Sequence, residues 1–144
     1  MDNARIKAVI DGLLDETQQF LCDLLRFPSL PGQEHAAMQW LHQRLTQVGI
    51  ACERVPMDEA LRQDPDYSSP VPDITYNGRF NLRLTSPGTG GGKTVLFNAH
   101  TDVVPPSEGQ TSPWEPILDG DTLRARGACD DKGPLACLYL VFRA

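Results

Sequence analysis

The sequence predicts an α/β fold in which helices flank a mixed sheet. Two observations support this prediction: segments with helical periodicity interleave with strand-like segments, and the last three of the predicted strands are short and apolar. The 144 residues are enough for one compact domain with a single core. A sheet of three strands keeps open edges, and open edges favour pairing with another chain.

Three segments have the spacing of amphipathic helices. Residues 4–26 place apolar side chains three and four residues apart, and Pro28 and Pro31 end this helix. A second helix is expected over residues 33–48, with Gly49 as its stop, and a third over residues 132–143. The side chains expected to face inward on the second and third helices are Ala37, Leu41, Leu45, Val48, Leu135, Leu138, Tyr139 and Phe142.

The strands are predicted from alternating residues and short apolar runs. They cover residues 50–55, 81–85 and 94–98, and a Gly-rich turn separates the last two. Residues 57–78 are rich in Asp and Pro and are expected to form a long surface loop. Asp119-Gly120 indicates a small hairpin.

The composition argues against several classes of protein. No apolar run approaches the ~20 residues that cross a bilayer, so no membrane partner is expected. The net charge of −6, without a basic stripe, argues against a nucleic-acid partner and suits metal cations. Residues 1–5 do not begin a signal peptide, which predicts a cytoplasmic location. Four cysteines without a C-x-x-C pair are predicted to be reduced, buried thiols: Cys22, Cys52, Cys129 and Cys137.

His100 and Asp102 follow the apolar run of residues 95–97 and are candidate site residues. Side chains at i and i+2 of a strand point to the same side, and open α/β sheets bind ligands at the carboxyl ends of their strands. For this pair alone, a structural histidine bonded to a nearby aspartate is the better explanation. Asp130 strengthens the metal hypothesis, because it stands in a Gly-rich loop directly before the third helix, where the scaffold can hold a bridging carboxylate.

Two other patterns resemble known sites but have simpler explanations. Residues 87–94 resemble a phosphate-binding loop, but Pro87 replaces its first glycine and a strand-like segment follows Lys93 where a helix is required. A flexible turn is predicted there. His35 and His42 are interpreted as solvated helix residues, and Cys129 has no histidine partner that would make it a nucleophile.

Taken in order, the motifs resemble a family of two-zinc deacylases and exopeptidases, which includes acetylornithine deacetylase, succinyl-diaminopimelate desuccinylase and the aminoacylases. The resemblance covers essentially the whole chain, since residues 27–34 and the helices on either side also match the family's opening. The motifs that carry it are Phe97-Asn98-Ala99-His100-Thr101-Asp102-Val103-Val104-Pro105, Trp114, Pro116, Asp119-Gly120-Asp121-Thr122-Leu123 and Arg126-Gly127-Ala128-Cys129-Asp130-Asp131-Lys132-Gly133.

The resemblance implies an incomplete three-layer α/β/α catalytic domain of the zinc exopeptidase type, and a role for each site residue. His100 would ligate one Zn²⁺, Asp130 would bridge two Zn²⁺ ions, and the catalytic residue Asp102 would orient the imidazole; Co²⁺ or Mn²⁺ are alternatives. A cis peptide would join Asp130 to Asp131. The implied reaction is metal-dependent hydrolysis of an amide C–N bond in a small-molecule N-acyl amino acid, of acetylornithine or succinyl-diaminopimelate type.

The sequence also departs from this family. Its members take a general base and a ligand from a Glu-Glu pair, take further ligands from later residues, and contain a dimerisation domain, none of which is found in residues 1–144. We therefore predict that residues 1–144 are an N-terminal segment of the catalytic domain and inactive alone, while the complete enzyme is compatible with a homodimer. Two alternatives stay open: dipeptidase or carboxypeptidase action on a peptide substrate, and a non-catalytic remnant or binding module.

Overall fold

A computed structural model describes residues 2–69 and 71–144. Met1 and Pro70 lie outside the described residues, and with them one position of the predicted N-terminus and one of the predicted long loop. The elements in chain order are α1 (Asn3–Leu25), α2 (His35–Gln47), β1 (Cys52–Pro56), a 3₁₀ helix (Glu59–Gln63), β2 (Phe80–Leu84), β3 (Ile117–Asp119), β4 (Thr122–Arg124) and α3 (Lys132–Arg143).

The three predicted helices are confirmed, and each observed end lies within two residues of the predicted end. Asp2 caps the start of α1, where its carboxylate accepts the backbone N–H of Arg5 at 2.8 Å. Gly49 ends α2 as predicted, because its φ of 80° is a conformation that glycine adopts without steric cost. In the described part of the chain, no helix is both long enough and apolar enough to span a membrane.

The hydrophobic core lies where the three helices meet. Phe20 of α1 is fully buried, and its ring stacks on Tyr139 of α3 with 4.0 Å between ring centroids. Trp40 of α2 packs on Phe20 from another side, at 5.4 Å. The buried cluster confirms four of the predicted inward residues and adds Ala136, which the periodicity did not indicate; its members are Phe20, Leu24, Ala37, Leu41, Leu45, Ala136 and Tyr139.

The strands of the described chain form two separate antiparallel pairs. In β1–β2, Cys52 lies opposite Leu84 and Pro56 opposite Phe80, and α2 packs on this pair. The second pair, β3–β4, is the hairpin predicted at Asp119-Gly120. Helices packed on small sheets agree with the predicted α/β class, although the described strands do not pair into one mixed sheet.

The strand predicted at residues 94–98 is wrong for the described chain: these residues form no ladder with another strand. Val95, Leu96 and Phe97 are 69%, 90% and 61% exposed. An apolar run is a necessary condition for a buried strand, but the strand itself needs a neighbour that supplies backbone hydrogen bonds. The sequence pattern shows the apolar run, but it does not show whether a neighbouring strand is present.

The predicted loop at residues 57–78 is more ordered than its composition indicated, because it contains the 3₁₀ helix. Asp58 caps that helix by accepting the backbone N–H of Ala60 at 2.7 Å. Glu59 accepts the backbone N–H of Tyr76 at 2.8 Å, and Tyr76 is buried. Local side-chain contacts therefore fold this segment back on itself.

Glu16 of α1 connects the helices at the polar edge of the core. Its carboxylate accepts the hydroxyl of Tyr139 and the Nε–H of Arg143, the latter at 2.9 Å, and Arg44 of α2 lies 3.9 Å away. The hydrogen bond from Arg143, followed by that from Tyr139, lowers the pKa of Glu16 below its usual value. The folded state therefore favours the ionised form of Glu16.

Replacement of Glu16 with glutamine is expected to lower the free energy of unfolding by about 1 kcal/mol near neutral pH, since the carboxylate is partly exposed and solvent screens it. A lowered folded-state pKa stabilises above the unfolded-state pKa, and this contribution is lost as the pH falls through the folded-state pKa. Urea unfolding of the wild type and E16Q should therefore converge in acid. The exposed neighbour variant D15N is the control, and an equal effect of the two variants would contradict the role of Glu16.

Candidate metal centre

The structure brings the three predicted site residues together. His100 and Asp102 lie in the segment that follows residues 94–98, outside the helices and strands, and Asp130 lies in the loop that leads into α3. His100 Nε2 is 3.1 Å from Asp130 Oδ1. On the other side of the ring, His100 Nδ1 is 3.0 Å from the backbone oxygen of Asp102 and 3.1 Å from its Oδ1.

The tautomer of His100 follows from these neighbours. Both oxygens of Asp102 near Nδ1 are acceptors, so Nδ1 carries the hydrogen, and in the neutral ring Nε2 presents a lone pair toward Asp130. Two acceptor atoms 3.1 Å apart repel each other unless a proton or a cation lies between them. The pair of Nε2 and Oδ1 is therefore an electrostatic site for a positive charge.

The spacing of this pair also suits a metal ion. Two ligands about 2.0–2.1 Å from a tetrahedral zinc ion stand about 3.3 Å from each other. The side chain of Asp130 is 89% exposed and that of His100 49% exposed, so both are accessible to an ion from solution. An imidazole nitrogen and a carboxylate oxygen are among the usual ligands of zinc.

The surroundings of His100 shift the pKa of its ring upward. Partial burial lowers the pKa of His100, but the carboxylates of Asp102 and Asp131 and the hydrogen bonds to Asp102 and Asp130 raise it more. The net result is a pKa above the usual value for histidine. A cation at Nε2 would replace the proton that this environment favours.

Asp131 is a site residue whose contact the sequence did not predict. Its Oδ2 accepts the backbone N–H of His100 at 3.1 Å, which ties the α3 loop to the His100 segment. The peptide bond between Asp130 and Asp131 is cis, as the family resemblance implied. The repeated aspartate was the available signal, but only the folded chain shows that the second carboxylate turns toward backbone.

The Gly-rich segment and the histidines of α2 do not contribute to this centre. The Gly-rich segment at residues 88–92 is exposed, and the residues that follow it do not form the helix that a phosphate site requires. His42 Nδ1 lies 3.1 Å from a guanidinium nitrogen of Arg54, on the surface of α2. The four cysteines are free thiols as predicted, but their predicted burial is wrong: Cys129 and Cys137 are exposed, and the other two are half-buried. Among the described residues, no group of three or more His, Cys, Asp or Glu side chains is arranged to hold a metal ion.

His100 and Asp130 both lie in the last third of the chain, and this part also matches a known family of proteins. Residues 96–144 match the model of Peptidase family M20/M25/M40. The resemblance predicted from the motifs is confirmed by this match and by the similar curated proteins described below. The matched residues include every predicted site residue.

Curated relatives extend the similarity to most of the chain. A protein named succinyl-diaminopimelate desuccinylase from Methylorubrum populi is 36% identical over 118 residues, which are 80% of this chain and 26% of the relative. One of the same name from Legionella pneumophila is 28% identical over 134 residues, or 90% of this chain and 30% of the relative. The chain thus spans about a quarter to a third of the length of these relatives.

A solved structure shows the same fold. It is described as the di-peptidase Dug1p from Saccharomyces cerevisiae, and it superposes with a TM-score of 0.66 at 23% sequence identity. The match covers 94% of this chain and 29% of the yeast chain. The likeness therefore supports the α/β class for nearly all of the described residues.

Proposed function

We propose that this chain supplies part of the active site of an enzyme that hydrolyses an amide C–N bond in an N-acyl amino acid. Succinyl-diaminopimelate is the leading candidate for the substrate, because the similar curated proteins carry that name. Deacylation of the acetylornithine type is chemically the same reaction on a shorter acyl group. Hydrolysis of a dipeptide is the alternative that the same assay distinguishes.

The observation that carries the proposal is the approach of His100 Nε2 to Asp130 Oδ1, since this pair calls for a positive charge. We assign both side chains as ligands of Zn²⁺, with Asp130 as the residue shared between two ions. When bound, such ions lower the pKa of water and polarise a substrate carbonyl. Asp102 is assigned the task of orienting the imidazole, because its oxygens accept the Nδ1–H and leave Nε2 available for the ion.

The proposal also requires more than the described residues. A catalytic zinc usually has about three protein ligands, and the pair in the described chain supplies two for one ion. We therefore propose that residues 1–144 bind metal weakly, do not turn over substrate alone, and form the N-terminal segment of a three-layer, homodimeric enzyme. The layered arrangement is proposed from the resemblance of the motifs to the matched family. The cytoplasmic location stays a prediction.

Titration of the 144-residue chain with Co²⁺ tests the proposal. The wild type is expected to bind the ion with weak affinity, and H100A is expected to raise the dissociation constant by at least about tenfold, because it removes a ligand. H42A is the matched control, since His42 lies on the surface of α2 and contacts Arg54 instead of a carboxylate. Equal binding by H100A and H42A would contradict the assignment of His100.

The same samples report the reaction. Incubation with succinyl-diaminopimelate, acetylornithine and a dipeptide is expected to release no product from the chain alone. Metal-dependent release that H100A abolishes would overturn the predicted inactivity while supporting the assigned site, and the substrate that is cleaved would identify the reaction.

A further inference from the structure

The two halves of the His100–Asp130 pair come from distant parts of the sequence, yet both are attached to the turn that follows α1. We propose that Ser29 and Lys132 are positioning residues, which fix the His100 segment and the Asp130 loop to this turn and so set the distance between Nε2 and Oδ1. The inference rests on the proposed function of the pair as a metal site. It assigns roles to two residues that touch neither the ion nor the substrate.

Ser29 holds the His100 segment through two hydrogen bonds. Its hydroxyl donates to the backbone oxygen of Thr101 at 2.5 Å, and its backbone oxygen accepts the N–H of Val103 at 2.9 Å. Ser29 is 1% exposed, so water does not compete for these bonds. Because Thr101 and Val103 alternate with His100 and Asp102 along the segment, fixing the first two residues fixes the direction of the other two.

Lys132 holds the Asp130 loop to the same turn. Its Nζ donates to the backbone oxygen of Phe27 at 2.7 Å and to that of Leu24 at 3.2 Å, and the residue is fully buried. These oxygens lie at the C-terminal end of α1, where the helix dipole favours a cation. The backbone N–H of Lys132 also donates to the backbone oxygen of Gly127 at 3.2 Å, and this hydrogen bond closes the loop that carries Asp130.

The contacts of Lys132 indicate positioning more than general stability. Lys132 is fully buried, and removing an ammonium group from water costs free energy. An unbranched apolar side chain of similar length would fill the same space without that desolvation cost. Such a side chain could not donate hydrogen bonds to the turn. The hydrogen bonds from Lys132 Nζ fix the loop at a point two residues after Asp130.

The test uses Ser29→Ala and Lys132→Met, with Leu45→Ala as the control. Leu45 is 4% exposed in the core cluster and lies on α2, so its truncation lowers stability without touching the turn. For each variant we would measure the free energy of unfolding in urea and the Co²⁺ dissociation constant. The expected result is a dissociation constant raised at least about tenfold for S29A and K132M, and one within about twofold of wild type for L45A.

A second measurement does not depend on metal. The ¹⁵N chemical shifts of the His100 ring in the metal-free chain report which nitrogen is protonated and whether Nε2 faces a carboxylate. S29A and K132M are expected to shift the Nε2 signal, whereas L45A is expected to leave it unchanged. If K132M does not fold, S29A alone decides the question by both measurements.

The outcomes separate this inference from the proposed function. If the wild type binds Co²⁺ through His100 and S29A binds it equally well with an unchanged ring signal, Ser29 and Lys132 are not positioning residues, while the metal site stands. If the wild type binds no Co²⁺ but the variants shift the ring signal, the positioning stands and the metal assignment falls. Equal losses of affinity in L45A and S29A would also overturn the inference.

Discussion

Replacement of Phe20 with alanine is expected to lower the free energy of unfolding by about 3–5 kcal/mol. Phe20 is fully buried and contacts an aromatic ring on each of two other helices, so its removal leaves a cavity at the point where α1, α2 and α3 meet. The stacked contact with Tyr139, at 4.0 Å, adds to the loss from burial alone. Since small domains are stable by roughly 5–15 kcal/mol, this one change would remove a large part of the total.

Urea unfolding followed by circular dichroism measures this loss. The control is L14A on the same helix, because Leu14 is 52% exposed and its truncation should cost about 0.5 kcal/mol or less. Alanine has the highest helix propensity, so a change in propensity cannot cause the loss of stability expected for either variant. A loss in F20A no larger than in L14A would show that the three helices do not share the core around Phe20.

The helices were predictable because their signals are local. The capping of α1 by Asp2 and the stop of α2 at Gly49 depend only on residues within a few positions. The apolar spacing of α2 likewise identified Ala37, Leu41 and Leu45, all of which are buried. The spacing was less informative in the first half of α1, where Ile6 and Leu14 have the spacing of inward-facing residues but are 41% and 52% exposed.

Long-range contacts account for what the sequence did not predict. A strand at residues 94–98 would need a neighbouring strand to pair with, and an apolar run in the sequence does not show whether one is present. The same limit applies to the site: the spacing of the motifs indicated His100, Asp102 and Asp130, but the contact from Asp131 to the backbone of His100 spans 31 residues. The turn after α1 is more distant still, because Lys132 reaches it across more than a hundred residues.

The second large loss of stability is expected for a substitution in the loop before α3, which carries Asp130. Gly127→Ala is expected to lower the free energy of unfolding by about 2–4 kcal/mol. Gly127 has a φ of 82°, which an L residue adopts at a cost, and a Cβ there would overlap the side chain of Val103. Val103 is buried and is held to Ser29 by its backbone N–H, so it cannot easily move aside.

Two glycine variants separate the causes of that loss. Gly120 in the β3–β4 turn also has a positive φ, of 57°, but a Cβ there meets nothing within 4 Å, so G120A should cost only about 1–2 kcal/mol from backbone strain. Gly12 lies inside α1 in open space, and G12A should stabilise by about 0.5–1 kcal/mol through helix propensity.

The order of stability is therefore expected to be G12A above wild type, then G120A, then G127A, and urea unfolding of the four proteins measures it. G127A should also weaken Co²⁺ binding, because the overlap pushes the Asp130 loop away from the segment that carries His100. G120A keeps that loop unchanged and should bind the ion as the wild type does. If G127A and G120A lose the same stability, strain alone explains Gly127, and the close packing of the loop on Val103 does not position Asp130.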